Sequence, residues 1–103
     1  MDLMRSIADM ASLKQVSLRK QPLFGGLIRE MRSLSNLTQE QFAAVIGVSY
    51  VTISRWESGR IQPSELALRQ VHAFLERLSQ SKAHRIQERS KELLALYLAG
   101  IQR

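Results

Sequence analysis

Apolar side chains recur at helical spacing along most of this 103-residue chain. Leu27, Ile28, Met31 and Leu34 share one side of a helix expected over 24–33, and Phe42, Val45 and Ile46 share one side of a second. Ile53 and Trp56 mark the buried side of a third, and Leu68, Val71, Leu75 and Leu78 that of a fourth. The residues between these runs are helix stops and starts. Ser35-Asn36 supplies a turn, and Thr38 is a good N-cap with Glu40 and Gln41 in the turn that follows. Gly47 stands where a helix ends with positive φ, Ser49 caps the next helix, and Gly59 stops it. Arg60 to Pro63 reads as a loop, after which Ser64 caps the fourth helix.

The two ends are less regular. Leu3, Ile7, Met10 and Leu13 lie near one face of a helix over 2–14 that Asp2 would cap; a frayed terminus is the alternative. Arg19 and Lys20, just before Pro22, are either a basic arm or a solvated linker. Ser79-Gln80-Ser81 predicts a break, and the segment from Lys82 to Ala99 starts polar and becomes apolar on every side at Leu93 to Leu98. A helix apolar all round must be covered, and a unit as small as residues 22–78 is marginal alone. The terminal helices are therefore expected to dock on the domain, on a second copy, or on both. The expected division is an N-terminal extension at 1–21, a central domain at 22–78, and a C-terminal dimerisation element at 79–103.

Only about three residues separate the second helix from the third, which is the helix-turn-helix spacing; it leaves the later helix free to enter a DNA major groove. The stretch LTQEQFAAVIGVSYVTISRWESGRIQPS resembles the lambda repressor/Cro-like (XRE) regulators. The resemblance rests on Thr38-Gln39-Glu40, Phe42-Ala43, Gly47-Val48-Ser49, Ile53 to Glu57, and Gly59 before Pro63-Ser64. Gly25 and Ile28 to Arg32 resemble that family's first helix. It implies an all-α fold of about five helices, here with an extra helix at each end, and a bacterial or phage origin.

Composition narrows the function. The net charge is +6, divided as +2 over 1–21, +1 over 22–78 and +3 over 79–103, so the excess lies in the flanks. That balance suits a polyanionic partner, or solubility alone. There is no cysteine, which rules out disulfides and thiolate metal sites and fits a reducing cytoplasm. No apolar run approaches the roughly 20 residues of a bilayer span, and Asp2 and Asp9 break any signal-peptide order, so no membrane role is expected. No enzyme is expected either. No Gly-Lys-Ser/Thr follows Gly25-Gly26, no motif marks a nucleophilic serine, and His72 and His84 read as ordinary helix residues without metal-ligand partners. No cofactor is implied.

The resemblance assigns roles to particular residues. Arg32 on the first helix is expected to pair with Glu57 at the end of the recognition helix. Gln39, Ser49, Ser58 and Arg60 match positions that contact phosphates. Tyr50, Val51, Thr52, Ser54 and Arg55 lie on the stretch that reads bases. Arg55 is the leading candidate, since a guanidinium bonds guanine O6 and N7 together, and Val51 or the Thr52 methyl suits a thymine methyl. Tyr50 and Val51 depart from the Gln or Arg common there, which leaves the target sequence open. Trp56, spaced with Ile53, reads as core rather than as a wedge between bases. The expected function is sequence-specific binding of double-stranded DNA by a nucleoid-associated, cytoplasmic homodimer that regulates transcription as a repressor. The alternatives are an antitoxin whose terminal helices bind a toxin protein, and a protein-interaction module with a relic motif.

Overall fold

A computed structural model describes residues 17–99; the helix expected over 2–14 lies outside them. The described residues form five helices and no strands: α1 (Leu23–Ser35), α2 (Gln39–Ile46), α3 (Tyr50–Glu57), α4 (Glu65–Leu78) and α5 (His84–Ala99).

Local chemistry accounts for the helix ends. Thr38 Oγ1 accepts from Gln41 N while Gln41 Oε1 accepts from Thr38 N, a reciprocal box that satisfies two free donors. Ser49 and Ser64 accept from Thr52 N and Ala67 N. α2 stops at Gly47, whose φ of 89° only glycine adopts at little cost. α1 runs longer at both ends than the expected 24–33. Asn36 closes it in a left-handed conformation that its short polar side chain tolerates, with its N–H turned back to the carbonyls of Arg32 and Ser33. The break at 79–81 is present, and Ser81 Oγ accepts from Ala83 N just ahead of α5.

One core joins all five helices. Phe24 meets Trp56 edge to face with ring centroids 5.1 Å apart, and Phe42 meets Phe74 likewise at 5.4 Å. Ile53 and Trp56 are both buried, so Trp56 belongs to the core. Three inward positions differ from expectation. Val45 is 45% exposed, and Ala43 is buried beside Phe42 and Ile46 instead. On α4, Ala67, Val71, Phe74 and Leu75 are buried, while Leu68 and Leu78 are only half-buried. In both helices the pattern admits two adjacent stripes, and the neighbouring helices select one. α2 is held against α3 and α4 by its 42/43/46 side, and α4 is turned by about one residue from the expected face.

The flanks are built into this core. Leu18 is fully buried, so part of the expected extension at 1–21 packs with the domain. Arg19 is not in a solvated linker: its guanidinium lies 5.9 Å from the centre of the Tyr97 ring. α5 covers α4 and part of α1. Leu93 and Tyr97 are buried, Leu94 and Leu96 pack on the core, and Tyr97 Oη donates to Leu68 O at 2.9 Å. Arg89 Nε donates to Glu30 Oε2 on α1 at 3.2 Å. The apolar end of α5 is thus mostly covered by its own domain, with Leu98 and Ala95 facing outward.

Candidate nucleic-acid interface

α3 sits on the molecule with one face anchored and the other open. Its anchor centres on Glu57, which is only 8% exposed. An ionised carboxylate at such a place needs partners, and three donors reach it. Arg32 Nε donates to Oε2 at 2.6 Å, Arg32 Nη2 to Oε1 at 3.0 Å, and Gln39 Nε2 to Oε1 at 2.9 Å. Arg32 Nη1 also donates to Leu37 O at 3.1 Å, so one guanidinium ties α1, the α1–α2 turn and α3 together. The hydrogen bond to Glu57 holds the Arg32 guanidinium above its ordinary pKa, more than burial lowers it.

Two contacts at this anchor go beyond what the sequence predicts. Arg29 Nη1 donates to Glu57 O, in the last turn of α3. Gly25 is where α1 and α3 touch backbone to backbone: a Cβ there would come within 2.5 Å of Trp56 O. The Arg29-x-x-Arg32 spacing, which puts both guanidinium groups on one face of α1, is the signal that points to the first. Nothing local points to the second.

The open face carries the remaining side chains. Tyr50, Val51, Arg55, Ser58 and Arg60 are exposed and, with half-buried Ser54, line a shallow groove of ≈ 300 Å³ along the outside of α3. Tyr50 and Val51 are 50% and 48% exposed and give this face an apolar component. Among the described residues neither Arg55 nor Arg60 has a carboxylate partner, so both charges are available to an external anion. Thr52 is half-buried and its Oγ1 lies 2.9 Å from Ser49 Oγ, which turns it toward the cap rather than outward. Gln39 spends its amide on Glu57, leaving its backbone N–H at the start of α2 as its outward donor. Ser58 Oγ donates to Arg55 O at 3.2 Å and stays exposed. The residues named from sequence therefore divide. Tyr50, Val51, Ser54, Arg55, Ser58 and Arg60 share one groove, while Gln39, Ser49 and Thr52 serve first to hold the helices.

Among the described residues, no three of His, Cys, Asp and Glu come together as metal ligands. One detail corrects the expectation from sequence: His72 does have a carboxylate beside it, Glu76 Oε2 at 3.5 Å one turn along α4. No described helix is long and apolar enough to cross a membrane.

The comparisons agree with this geometry. The family pattern described as helix-turn-helix matches residues 28–79, from the middle of α1 to the end of α4. Over 51 residues the chain is 39% identical to the HTH-type transcriptional activator BcrR of Enterococcus faecalis; the match takes in 50% of this chain and 25% of that relative. No solved structure gives a significant match. With half its length matched, and with two capped helices in the expected spacing ending in an open, cationic face, the chain belongs to the XRE family of helix-turn-helix proteins and has a lambda repressor-like domain.

Proposed function

We propose that this chain binds double-stranded DNA in a sequence-specific manner and regulates transcription. The observation that carries this reading is the division of α3 into a locked face and a vacant one. Arg32 and Gln39 fix the helix through Glu57, while Tyr50, Val51 and Arg55 are left without internal partners. A helix of this size inserted in a major groove presents such residues to base edges, and a guanidinium there suits the paired acceptors of guanine. Arg60 and Ser58, beyond the helix end, suit contacts with phosphates, as do the amides at the start of α2. Val51 and Tyr50 supply the apolar surface that suits thymine methyls.

The chain acts as a homodimer on a two-fold related site, with the outward side of α5 at Leu98 and Ala95 as the contact between copies. A bound dimer that overlaps a promoter represses it; the relative is named an activator, and the sign of regulation depends on where the site lies. Selection of bound sequences from random duplexes tests this reading. The expected result is an enriched, inverted-repeat sequence whose binding weakens steeply with salt, with a slope of log affinity against log salt of about −5 to −9 for roughly 6–10 phosphate contacts. A flat salt dependence with no enriched sequence would reject it.

A further inference from the structure

The last turn of a helix leaves carbonyls with no donor of their own. In α3, Ser54 O and Arg55 O are met by the amides of Ser58 and Arg60 at 3.1 and 2.9 Å. The next two carbonyls receive side chains from α1 and the residue pair before it. Glu57 O takes Arg29 Nη1, and Trp56 O, which the amide of Gly59 meets at 3.1 Å, also takes Gln21 Nε2 at 2.7 Å. Gln21 goes further. The same Nε2 donates to Ile61 O at 3.0 Å, Oε1 accepts from Gly25 N at 3.0 Å, and the Gln21 backbone N–H donates to Gln62 Oε1 at 2.8 Å.

One carboxamide thus sits on the first turn of α1 and grips the chain on both sides of Arg60, at Trp56 and at Ile61. The segment it spans is otherwise exposed from Ser58 to Gln62. Only a group with two donors and an acceptor at this reach performs all three tasks. Asn is one methylene shorter, and Glu would aim a carboxylate at two carbonyl oxygens.

We propose that Gln21 is a positioning residue for DNA binding, acting through Arg60. By fixing the 58–62 loop before DNA arrives, it removes the ordering cost that a loose loop would incur on binding. The proposal rests on the DNA-binding reading above. It concerns a residue outside the 28–79 family match, so the family pattern assigns it nothing.

The test uses the full chain, wild type and with Gln21→Ala, Arg60→Ala and both together, on a selected and a scrambled duplex at two salt concentrations. Gln21→Ala is expected to weaken both duplexes alike, by about tenfold, and to flatten the salt slope by about 0.9 for each phosphate that is no longer neutralised. Adding Arg60→Ala to it should then cost little more. In the free protein, amide exchange at Arg60 should quicken while exchange at Ile53 stays slow. Additive losses with a wild-type salt slope, or unchanged exchange at Arg60, would overturn the proposal. If Gln21→Ala does not fold, Gln21→Met, which keeps the length and removes only the hydrogen bonds, is read by the same criteria; failure of both to fold would assign Gln21 to global stability and reject the positioning role. Wild-type protein without salt-dependent affinity would instead reject the DNA reading, and the exchange rates alone would then decide whether Gln21 holds the loop.

Discussion

Arg32 and Glu57 lie 25 residues apart and meet through two hydrogen bonds, of 2.6 and 3.0 Å, in a place where the carboxylate is nearly dry. Breaking such a pair strands a charge, and the cost is commonly about 3–5 kcal/mol when both partners are buried. Arg32 keeps some exposure, so Glu57→Ala should cost about 3 kcal/mol of unfolding free energy. The Arg32→Ala, Glu57→Ala double-mutant cycle should show coupling of about 1–3 kcal/mol by denaturant titration. Additive losses would mean that the two side chains act independently.

Gly25 should resist even the smallest side chain. Its added Cβ would sit 2.5 Å from Trp56 O, a backbone atom that cannot rotate away. Gly25→Ala should therefore destabilise by about 1–3 kcal/mol, although Ala favours a helix by about 1 kcal/mol elsewhere. A neutral or stabilising Gly25→Ala would show that α1 and α3 are further apart than described.

Tyr97 gives the fold a stability loss at high pH. Burial pushes its phenol up to about 12, from an ordinary value of 10.0, because the phenolate would have to form in a dry site. With the folded-state value raised, the stabilisation is complete below pH 10 and is lost as pH rises to about 12. Two units correspond to about 2–3 kcal/mol. Tyr97→Phe should remove that part of the pH dependence and cost about 1 kcal/mol at neutral pH through the bond to Leu68 O. Identical stability curves from pH 9 to 12 for wild type and Tyr97→Phe would contradict the burial of this hydroxyl.

The proposed dimer contact is tested without disturbing the core. Deleting α5 would remove Leu93 and Tyr97 from inside the domain, so a truncated chain would report on folding rather than on association. Leu98 is exposed, and Leu98→Asp should leave thermal stability of the monomer within about 0.5 kcal/mol. Sedimentation should then change from dimer to monomer, and affinity for a two-fold site should fall. A Leu98→Asp protein that still sediments as a dimer would locate the contact elsewhere.

What can be read from the sequence is local or periodic. The caps at Thr38, Ser49 and Ser64 and the stop at Gly47 depend on neighbours within four residues, so their residue types are enough. Ile53 and Trp56 are readable as core because a short helix with only two large apolar side chains on one side leaves no choice. Val45, Leu68 and Leu78 are less readable, since two adjacent stripes are apolar and only the packing partner selects between them. Gln21 and Tyr97 act across 29 residues or more, as in the bonds from Gln21 to Trp56 and from Tyr97 to Leu68, and no short spacing announces such contacts. The same limit applies within the groove. Thr52 and Arg55 look equally outward on a helical projection, and only the hydroxyl contact with Ser49 turns Thr52 toward the cap.

Base reading by α3, as proposed, stands or falls on Arg55. Arg55 is exposed in the groove, and a guanidinium bonded to guanine O6 and N7 discriminates by about 1–3 kcal/mol. The measurement is the affinity of wild type, Arg55→Ala and Arg55→Lys for the selected duplex and for a scrambled one at two salt concentrations. Arg55→Ala should lose that amount on the selected duplex, keep most of its affinity for the scrambled one, and relax preference at one base pair per half-site. Arg55→Lys should regain affinity more than discrimination, because an ammonium lacks the planar fork. Equal losses on both duplexes, with a flatter salt slope, would contradict base reading by Arg55 and reduce it to a phosphate contact.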